Sequence, residues 1–361
     1  MKQLPNLTPL RFFLAVIVML FHIPQLCHNQ GLPYYDQLPI FHKGVEAVYL
    51  FFSLSGYLII RKIYLQRQAG IFSIRTFLTR RARRILPLYY LVAIFGLCFY
   101  HIVLPFLQIP FDNHYNLWKG VLLLLLFMPN ILLQCEPGGI LEILWSIGIE
   151  EQFYILIAPL LFFVDPKRML IALLFVCIGY FICFHITAFE FLSTFKMVFF
   201  YMLAGGIFGI FAESAASYKM KWLRTHSAVP ILISALTLCV FFSDVLSDSS
   251  DIIYNLVLTV LFPFFLFTIS EHQKIAAITS KLLNHLGNIS YGIYMYHVIV
   301  LNAVVFVFDK LEDTVYFSDT STIILINTIT LLITVMISHL SYKYFELYFL
   351  RGGRPSRIAK T

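Results

Sequence analysis

Long apolar runs separated by short polar segments occupy nearly the whole chain. Eleven such runs can be distinguished, at residues 10–26, 45–63, 85–104, 118–134, 143–164, 168–189, 194–212, 228–243, 253–270, 287–308 and 322–349. A helix needs about 20 mostly apolar residues to cross a bilayer, and most of the runs approach this length. The pattern predicts an all-α, polytopic integral membrane helical bundle that forms one domain over residues 1–361.

The charges between the runs indicate how many of them cross. Eleven crossings would place the chain ends on opposite sides, yet both ends are basic, with Lys2 and Arg11 at the start and a short basic tail at 350–361. Loops rich in Lys and Arg face the cytoplasm. If run 118–134 enters from outside and returns, the basic loops fall inside and the acidic loops outside. We therefore predict about ten transmembrane helices, one re-entrant segment at 118–134 and two cytoplasmic termini.

Composition supports a membrane protein and argues against nucleic-acid binding. Hydrophobic residues make up 60% of the chain and charged residues 12%, with a mean hydropathy of +0.82. Soluble proteins carry about 25% charged residues. The net charge of +7 is divided among short clusters between apolar runs, as membrane topology requires. The six cysteines show no CxxC or metal-ligand spacing, so we expect no metal site.

The first run contains two ionisable residues, Arg11 and His22. Eleven residues make almost three helical turns at about 3.6 residues per turn, so both side chains face the same way. Ionisable side chains inside a bilayer are costly and mark candidate functional sites. His22 is suited to proton transfer at neutral pH. The alternative is a core histidine bonded to a backbone carbonyl and an arginine that extends to the interface.

The start of run 143–164 carries a polar face of its own. Ser146, Glu150 and Tyr154 recur every four residues and therefore lie on one side of the helix. In the ten-span topology Glu150 lies at a depth comparable to that of His22, where its carboxylate could orient the imidazole and stabilise its protonated form. The alternative is an interfacial belt of Trp and Tyr at an acidic helix start.

A basic cluster precedes the third run. Arg80, Arg81 and Arg84 fall on one helical face at the cytoplasmic end of the span. Forked guanidinium groups suit the phosphates of a nucleotide-bearing cofactor. The same cluster could instead anchor the span and contact anionic lipid.

A polar stripe runs into the membrane near the start of run 287–308. Ser290, Tyr294 and His297 are spaced at i, i+4 and i+7. Because polar groups are costly against lipid, the stripe should face other helices or a cavity. It could take part in chemistry or only join helices by hydrogen bonds.

Taken in order, these segments resemble the family 3 membrane acyltransferases from Leu7 to about Phe349, nearly the whole chain. The resemblance is carried by the Arg11-x10-His22 spacing, Phe51-Phe52-Ser53-Leu54-Ser55-Gly56-Tyr57-Leu58, segments 80–89 and 145–154, and Ser290-Tyr291 before His297. Members of this family transfer acetyl or related acyl groups to extracytoplasmic sugars. No hydrolase-like domain, as some relatives have, is expected after the helical region.

The resemblance implies roles for individual residues. His22 becomes the catalytic base, with Glu150 as its partner. Binding of acyl-CoA is implied for Arg80, Arg81, Arg84 and Arg11, with Ser55 and Gly56 as a small-residue site where a helix or the donor's arm approaches closely. Substrate binding or structural support is implied for Trp145, Ser146, Tyr154, Ser290, Tyr291, Tyr294, His297 and Glu346.

Two positions depart from the family pattern. Many relatives have an acidic residue where this chain has Tyr49, and Glu46 lies one turn earlier. The closing Glu-Arg/Lys-Pro-Phe of many members is replaced by Glu346-Leu347-Tyr348-Phe349.

The function that the resemblance implies is O-acyl transfer, acetyl in particular, from cytoplasmic acyl-CoA to a polysaccharide or oligosaccharide hydroxyl outside the bacterial inner membrane. Membrane lipid and a carbohydrate acceptor are the expected partners. Direct transfer and an acyl-His intermediate are equally compatible with the sequence. The alternative from another class is a transporter or flippase in which Arg11, His22, Glu150 and His297 form a proton or substrate path.

Overall fold

The computed structural model describes residues 4–312 and 318–352, and this part of the chain is helical, without strands. Its helices of eight or more residues are α1 (Leu7–Asn29), α2 (Gly44–Gln68), α3 (Ile74–Cys98), α4 (Leu117–Leu125), α5 (Leu144–Phe163), α6 (Met169–Phe184), α7 (Phe199–Glu213), α8 (Ala228–Phe242), α9 (Asp251–Glu271), α10 (Lys281–Asn288), α11 (Ser290–Glu312) and α12 (Asp319–Ser341). The predicted all-α fold is confirmed.

Ten of these helices correspond to the ten predicted spans. Within the described residues, seven helical segments are long and apolar enough to cross a bilayer; they contain α1, α2, α3, α5, α9, α11 and α12. Helices α6, α7 and α8 are equally apolar in character but have only 15 or 16 residues. The protein is a multi-pass helical membrane bundle.

Helix α4 does not continue across the bundle. Its nine residues rise about 13 Å, less than half of the roughly 30 Å hydrocarbon core. The chain then reverses at Phe127, whose backbone is left-handed with φ 57°. On the return, Cys135 comes back beside the start of the helix, with its Sγ 3.3 Å from the Nζ of Lys119. This is the geometry predicted for a re-entrant segment at 118–134.

The non-helical turn of this segment is satisfied by protein groups. Gln152 of α5 donates from Nε2 to the carbonyl oxygen of Phe127 at 2.6 Å and to Oδ1 of Asn130 at 2.8 Å. The hydroxyl of Tyr89 on α3 donates to the carbonyl oxygen of Leu124 at 3.0 Å. Irregular backbone at membrane depth is tolerated only when protein buries it, and α3 and α5 supply that cover here.

Both described ends of the chain lie at one end of the bundle, here called the basic end. The Nδ2 of Asn6 donates to the carbonyl oxygen of Ile269, near the end of α9, at 2.9 Å. At the other terminus, Gly352 lies beside the guanidinium of Arg83. An even number of crossings requires this arrangement. Which membrane face the basic end adopts stays a prediction, and tail residues 353–361 lie outside the described part.

Helices α2 and α7 are in backbone contact along a series of glycines. A Cβ on Gly56 would fall within 3.0 Å of the Met202 carbonyl oxygen, and one on Gly205 would do the same with the carbonyl oxygen of Ser53. Small residues allow membrane helices to approach this closely. The alternative that Gly56 accommodates a neighbouring helix is therefore confirmed. Because α7 holds one side of α2, the other side is free to line a cavity.

A buried cluster of charged side chains joins α2, α7 and α9 at the basic end. Arg61 contacts Glu213 at 2.5 Å and Glu271 at 2.6 Å, and Arg224 contacts the second oxygen of Glu271 at 3.2 Å. The side chain of Arg61 is only 9% exposed. These carboxylates compensate the charge of Arg61, so the cluster fixes the relative positions of the three helices.

Candidate active site

A cavity of about 290 Å³ lies between α1, α2, α3, α5 and α11; we call it the central cavity. Its lining residues with polar groups are Arg11, Ser55, Lys62, Arg81, Arg84, Ser146, Glu150, Tyr154, Ser290, Tyr291 and Tyr294. Its apolar lining residues are Val48, Phe51, Phe52, Leu54, Leu58, Ile59, Ile85 and Ile147. The sequence-predicted residues of five separate segments therefore meet around one space.

Four cations occupy the part of the central cavity nearest the basic end: Arg11, Lys62, Arg81 and Arg84. None of them forms an ion pair with a carboxylate in the part of the chain that the structure describes. Several unpaired cations in a partly buried cleft favour an anionic ligand. The planar fork of arginine suits phosphate oxygens in particular.

The predicted arginine cluster is divided by the fold. Arg81 and Arg84 line the central cavity, whereas Arg80 is exposed and is not part of its wall. Lys62 was missed by the sequence analysis. The signal was present, because Ser55, Leu58 and Lys62 follow one another at i, i+3 and i+7 on a single face of α2.

A short chain of hydrogen bonds fixes Glu150 in the wall of the cavity. The hydroxyl of Tyr154 donates to Oε1 of Glu150, and the Oγ of Ser55 lies 2.6 Å from the same hydroxyl. Ser146, Glu150 and Tyr154 all line the cavity, which confirms that they share one face of α5. Glu150 also interacts electrostatically with Arg11. The carboxylate is therefore placed among the cations.

Tyr294 and Ser146 are hydrogen-bonded to each other at the end of the cavity farther from the cations. Their hydroxyl oxygens are 2.7 Å apart, and the Tyr294 hydroxyl donates to the carbonyl oxygen of Ile143 at 3.0 Å. Ser290 and Tyr291 continue the same helix face along the wall, and Tyr291 donates to the carbonyl oxygen of Ile85 at 2.9 Å. Ser290 and Tyr294 of the predicted polar stripe thus face a cavity, whereas His297, its third member, is not part of the cavity wall.

His22 lies beyond this hydrogen bond, beside His297. The centroids of the two imidazole rings are 5.2 Å apart, and the His297 ring is 5.7 Å from that of Tyr294. The ring contacts found for His22 are with Phe21 and His297, whereas Glu150 is hydrogen-bonded to Tyr154. The neighbour of His22 in the structure is therefore His297 and not the expected Glu150. The catalytic roles of His22 and Glu150 stay predictions.

Trp145 and Glu346 lie around the cavity and are absent from its wall. Trp145 is buried, with the Nζ of Lys196 5.0 Å from its ring centre. Glu346 is buried in a π-helical turn at the end of α12, where its Oε1 accepts from the Oγ of Ser341 at 3.3 Å. It also interacts with Arg84. Both residues are placed to support neighbours that line the cavity.

Tyr49, the first departure from the family pattern, and the nearby Glu46 are not part of the cavity wall. Glu46 is buried, with its Oε1 3.6 Å from the Nζ of Lys43. Tyr49 stacks on Tyr201 of α7, with ring centroids 4.4 Å apart. Neither residue lines the cavity.

Comparison with known proteins finds relatives that align with most of this chain. The protein named "Putative acetyltransferase ORF330" of the Acidianus two-tailed virus is 26% identical over 306 residues, which cover 82% of this chain and 83% of that protein. Proteins named "Putative O-acetyltransferase" in Staphylococcus aureus strains COL and MSSA476 are each 24% identical over 403 residues. These alignments cover 99% of this chain, which spans 60% of the length of the staphylococcal proteins. No solved structure matches.

The sequence also matches a family model, described as an acyltransferase domain, over residues 5–341. The matched region contains every predicted site residue except Glu346, and it includes all five helices around the central cavity. The chain therefore belongs to the acyltransferase 3 family of membrane acyltransferases.

Proposed function

We propose that this membrane acyltransferase moves an acyl group, acetyl in particular, from cytoplasmic acyl-CoA to a carbohydrate hydroxyl on the outer side of the bacterial inner membrane. The observation that carries the proposal is the central cavity, with four cations outside any ion pair at the basic end and both apolar and polar side chains on the wall above them. Phosphates of the donor would bind Arg11, Arg81, Arg84 and Lys62. Its thioester arm would extend along Phe51, Phe52 and Leu58.

The thioester must reach His22 for transfer to occur. The hydrogen bond between Ser146 and Tyr294 lies at the far end of the cavity, and His22 lies beyond Tyr294 and His297. We infer that Tyr294 moves when the donor is bound and that the thioester then passes its hydroxyl. In this scheme Tyr294 separates the donor from outside water until both substrates are present.

In the transfer step His22 removes the proton from the acceptor hydroxyl, whose oxygen attacks the thioester carbonyl carbon. A C–O bond forms and the C–S bond breaks. The thiolate then takes the proton from His22, so the step needs no further reactant. In the acyl-His alternative the acyl group passes to His22 first. A burst of coenzyme A release that precedes labelling of the acceptor would occur only in that second case.

Inside-out membrane vesicles test the proposal, because they expose the cytoplasmic face to added donor. Radiolabelled acetyl-CoA should label glycan in vesicles with the wild-type protein, and it should not do so with His22→Ala at equal protein level. Undiminished labelling by His22→Ala would overturn its assignment as the base. Wild-type protein that neither binds acetyl-CoA nor transfers label would overturn the function and favour the transporter alternative.

A further inference from the structure

His297 is a fully buried histidine whose surroundings fix the position of its proton. Its exposed fraction is 0%, and its Nδ1 lies 2.5 Å from the carbonyl oxygen of Tyr294. A carbonyl oxygen can only accept a hydrogen bond, so Nδ1 carries the hydrogen and donates it. A neutral imidazole has one N–H, and Nε2 is therefore an acceptor with a free lone pair.

This Nε2 atom is buried and has no hydrogen-bond partner among the described residues. Buried polar atoms are nearly always paired, so an unpaired acceptor requires an explanation. The neighbouring ring is His22 of α1, with its centroid 5.2 Å away and its plane tilted by 39°. Two imidazoles joined by an N–H···N bond of about 3 Å have ring centroids roughly 5 Å apart. The separation therefore suits such a bond, which a turn of the His22 ring about its Cβ–Cγ bond would form.

We propose that His297 is a positioning residue that accepts a hydrogen bond from His22 and thereby fixes which His22 nitrogen acts as the base. This inference rests on the proposed function, because it takes His22 as the base. With one N–H directed at His297, His22 presents the lone pair of its other nitrogen to the acceptor hydroxyl. When that nitrogen takes the hydroxyl proton, the bond to His297 becomes charge-assisted and stronger. When the thiolate takes the proton, the neutral pair is restored.

A histidine partner differs from the carboxylate of a Ser-His-Asp triad in carrying no charge at rest. A carboxylate would favour the protonated form of His22 before the acceptor arrives, and a protonated His22 cannot act as a base. The neutral His297 orients the His22 ring, and the hydrogen bond between them becomes strongest only after His22 has taken the proton. Stabilisation that appears in this order lowers the barrier without stabilising the resting enzyme.

Two variants of His297 and one control variant test the pairing. For each variant, kcat and KM for acetyl-CoA are measured in vesicles. His297→Phe keeps a ring and removes the acceptor, whereas His297→Gln keeps an acceptor oxygen near the place of Nε2. The control is His185→Phe, because His185 also has its Nδ1 near a carbonyl oxygen, that of Phe181 at 2.8 Å, but its ring contacts are with phenylalanines and not with His22. We expect His297→Phe to lower kcat about 10²-fold with KM nearly unchanged, and His297→Gln to stay within about tenfold of wild type. His185→Phe should leave kcat per folded molecule unchanged.

A double-variant comparison separates positioning from a structural role. If His297 acts through His22, adding His297→Phe to His22→Ala lowers the residual rate no further. Independent losses that multiply in the double variant would overturn the pairing, as would a His297→Phe enzyme with wild-type kcat. Both results require active wild-type protein. A wild-type chain that transfers no acyl group would instead overturn the proposed function.

Discussion

Replacing Gly56 by alanine should push α2 and α7 apart and weaken the wall of the central cavity. A Cβ at this position meets a backbone oxygen, that of Met202, which cannot rotate away as a side chain could. An ordinary contact of 3.4 Å would require the helices to part by roughly 1.5 Å. Ser55 is the preceding residue on α2, and its hydroxyl is 2.6 Å from that of Tyr154. A shift of this size exceeds the tolerance of a hydrogen bond.

Two opposing free-energy changes decide the result. Alanine in place of glycine inside a helix stabilises the helix by about 1 kcal/mol. Overpacking a closely packed contact costs about 1–3 kcal/mol, and a rigid backbone oxygen places Gly56 at the upper end of that range. We therefore expect Gly56→Ala to lower the free energy of unfolding by about 2 kcal/mol and to weaken donor binding as well.

Gly179 of α6 provides the matched control. A Cβ there would meet no atom within 4 Å, so Gly179→Ala keeps the propensity gain without the clash. Thermal unfolding of both variants in the same detergent, followed by fluorescence-detected size exclusion, measures the difference. Gly56→Ala protein as stable as Gly179→Ala would refute the close helix contact, and with it the explanation of how α2 is held at the cavity.

Four further predictions concern individual side chains. Arg61→Met should destabilise the fold by about 3–5 kcal/mol, since it leaves the carboxylate of Glu213 without its cation and that of Glu271 with Arg224 alone, and thermal unfolding measures the loss. Arg81→Gln should weaken acetyl-CoA binding about 10- to 100-fold through one lost charge-assisted contact, as measured by calorimetry on purified protein. Glu150→Gln should keep kcat within tenfold and lower KM for acetyl-CoA, because a negative charge is removed from the phosphate site. Tyr294→Phe should increase acetyl-CoA hydrolysis several-fold when no acceptor is present, because the hydrogen bond between Tyr294 and Ser146 is lost and water can reach the thioester.

Exposed arginines on nearby helical turns provide the controls for the two arginine predictions. Arg75 and Arg80 are both exposed and outside the cavity wall. Arg75→Met should leave stability unchanged, and Arg80→Gln should leave donor affinity within about threefold. Equal losses at Arg80 and Arg81 would mean that overall charge, rather than the cavity, attracts the donor. A 10²-fold fall in kcat for Glu150→Gln would restore this carboxylate as the partner of His22.

The bundle and its re-entrant segment were predictable because hydropathy and charge act locally along the chain. Each apolar run must be helical to satisfy its backbone in lipid, and each basic loop limits the side on which it can lie. Helical periodicity likewise placed Ser146, Glu150 and Tyr154 on one face without knowledge of any other helix. Hydropathy, loop charge and helical periodicity can each be determined from a segment of about 20 residues.

The partners across helices could not be obtained in the same way. Ser55 and Tyr154 are 99 residues apart, and their contact depends on how α2 and α5 are rotated about their axes. Glu150 was matched to His22 because both lie at similar depth, but depth leaves the direction around the helix undetermined. Packing of α1 against α11 decides the matter and brings His297 to His22. His297 was thus a second candidate partner for His22 at comparable depth. Only the tertiary structure distinguishes His297 from Glu150.

The spacing of Arg11 and His22 on α1 connects the two ends of the proposed reaction. Both residues belong to one continuous helix, and eleven residues at about 1.5 Å each separate them by about 16 Å along its axis. The phosphopantetheine arm of coenzyme A has about 13 bonds between phosphorus and sulfur. At roughly 1.25 Å of advance per bond, the extended arm also spans about 16 Å. A phosphate held at the depth of Arg11 therefore brings the thioester to the depth of His22 only when the arm is nearly straight. The apolar side chains of Phe51, Phe52 and Leu58 on α2 would lie along the arm. In this arrangement α1 sets the distance between donor binding and chemistry, and the movement still required is the opening at Tyr294.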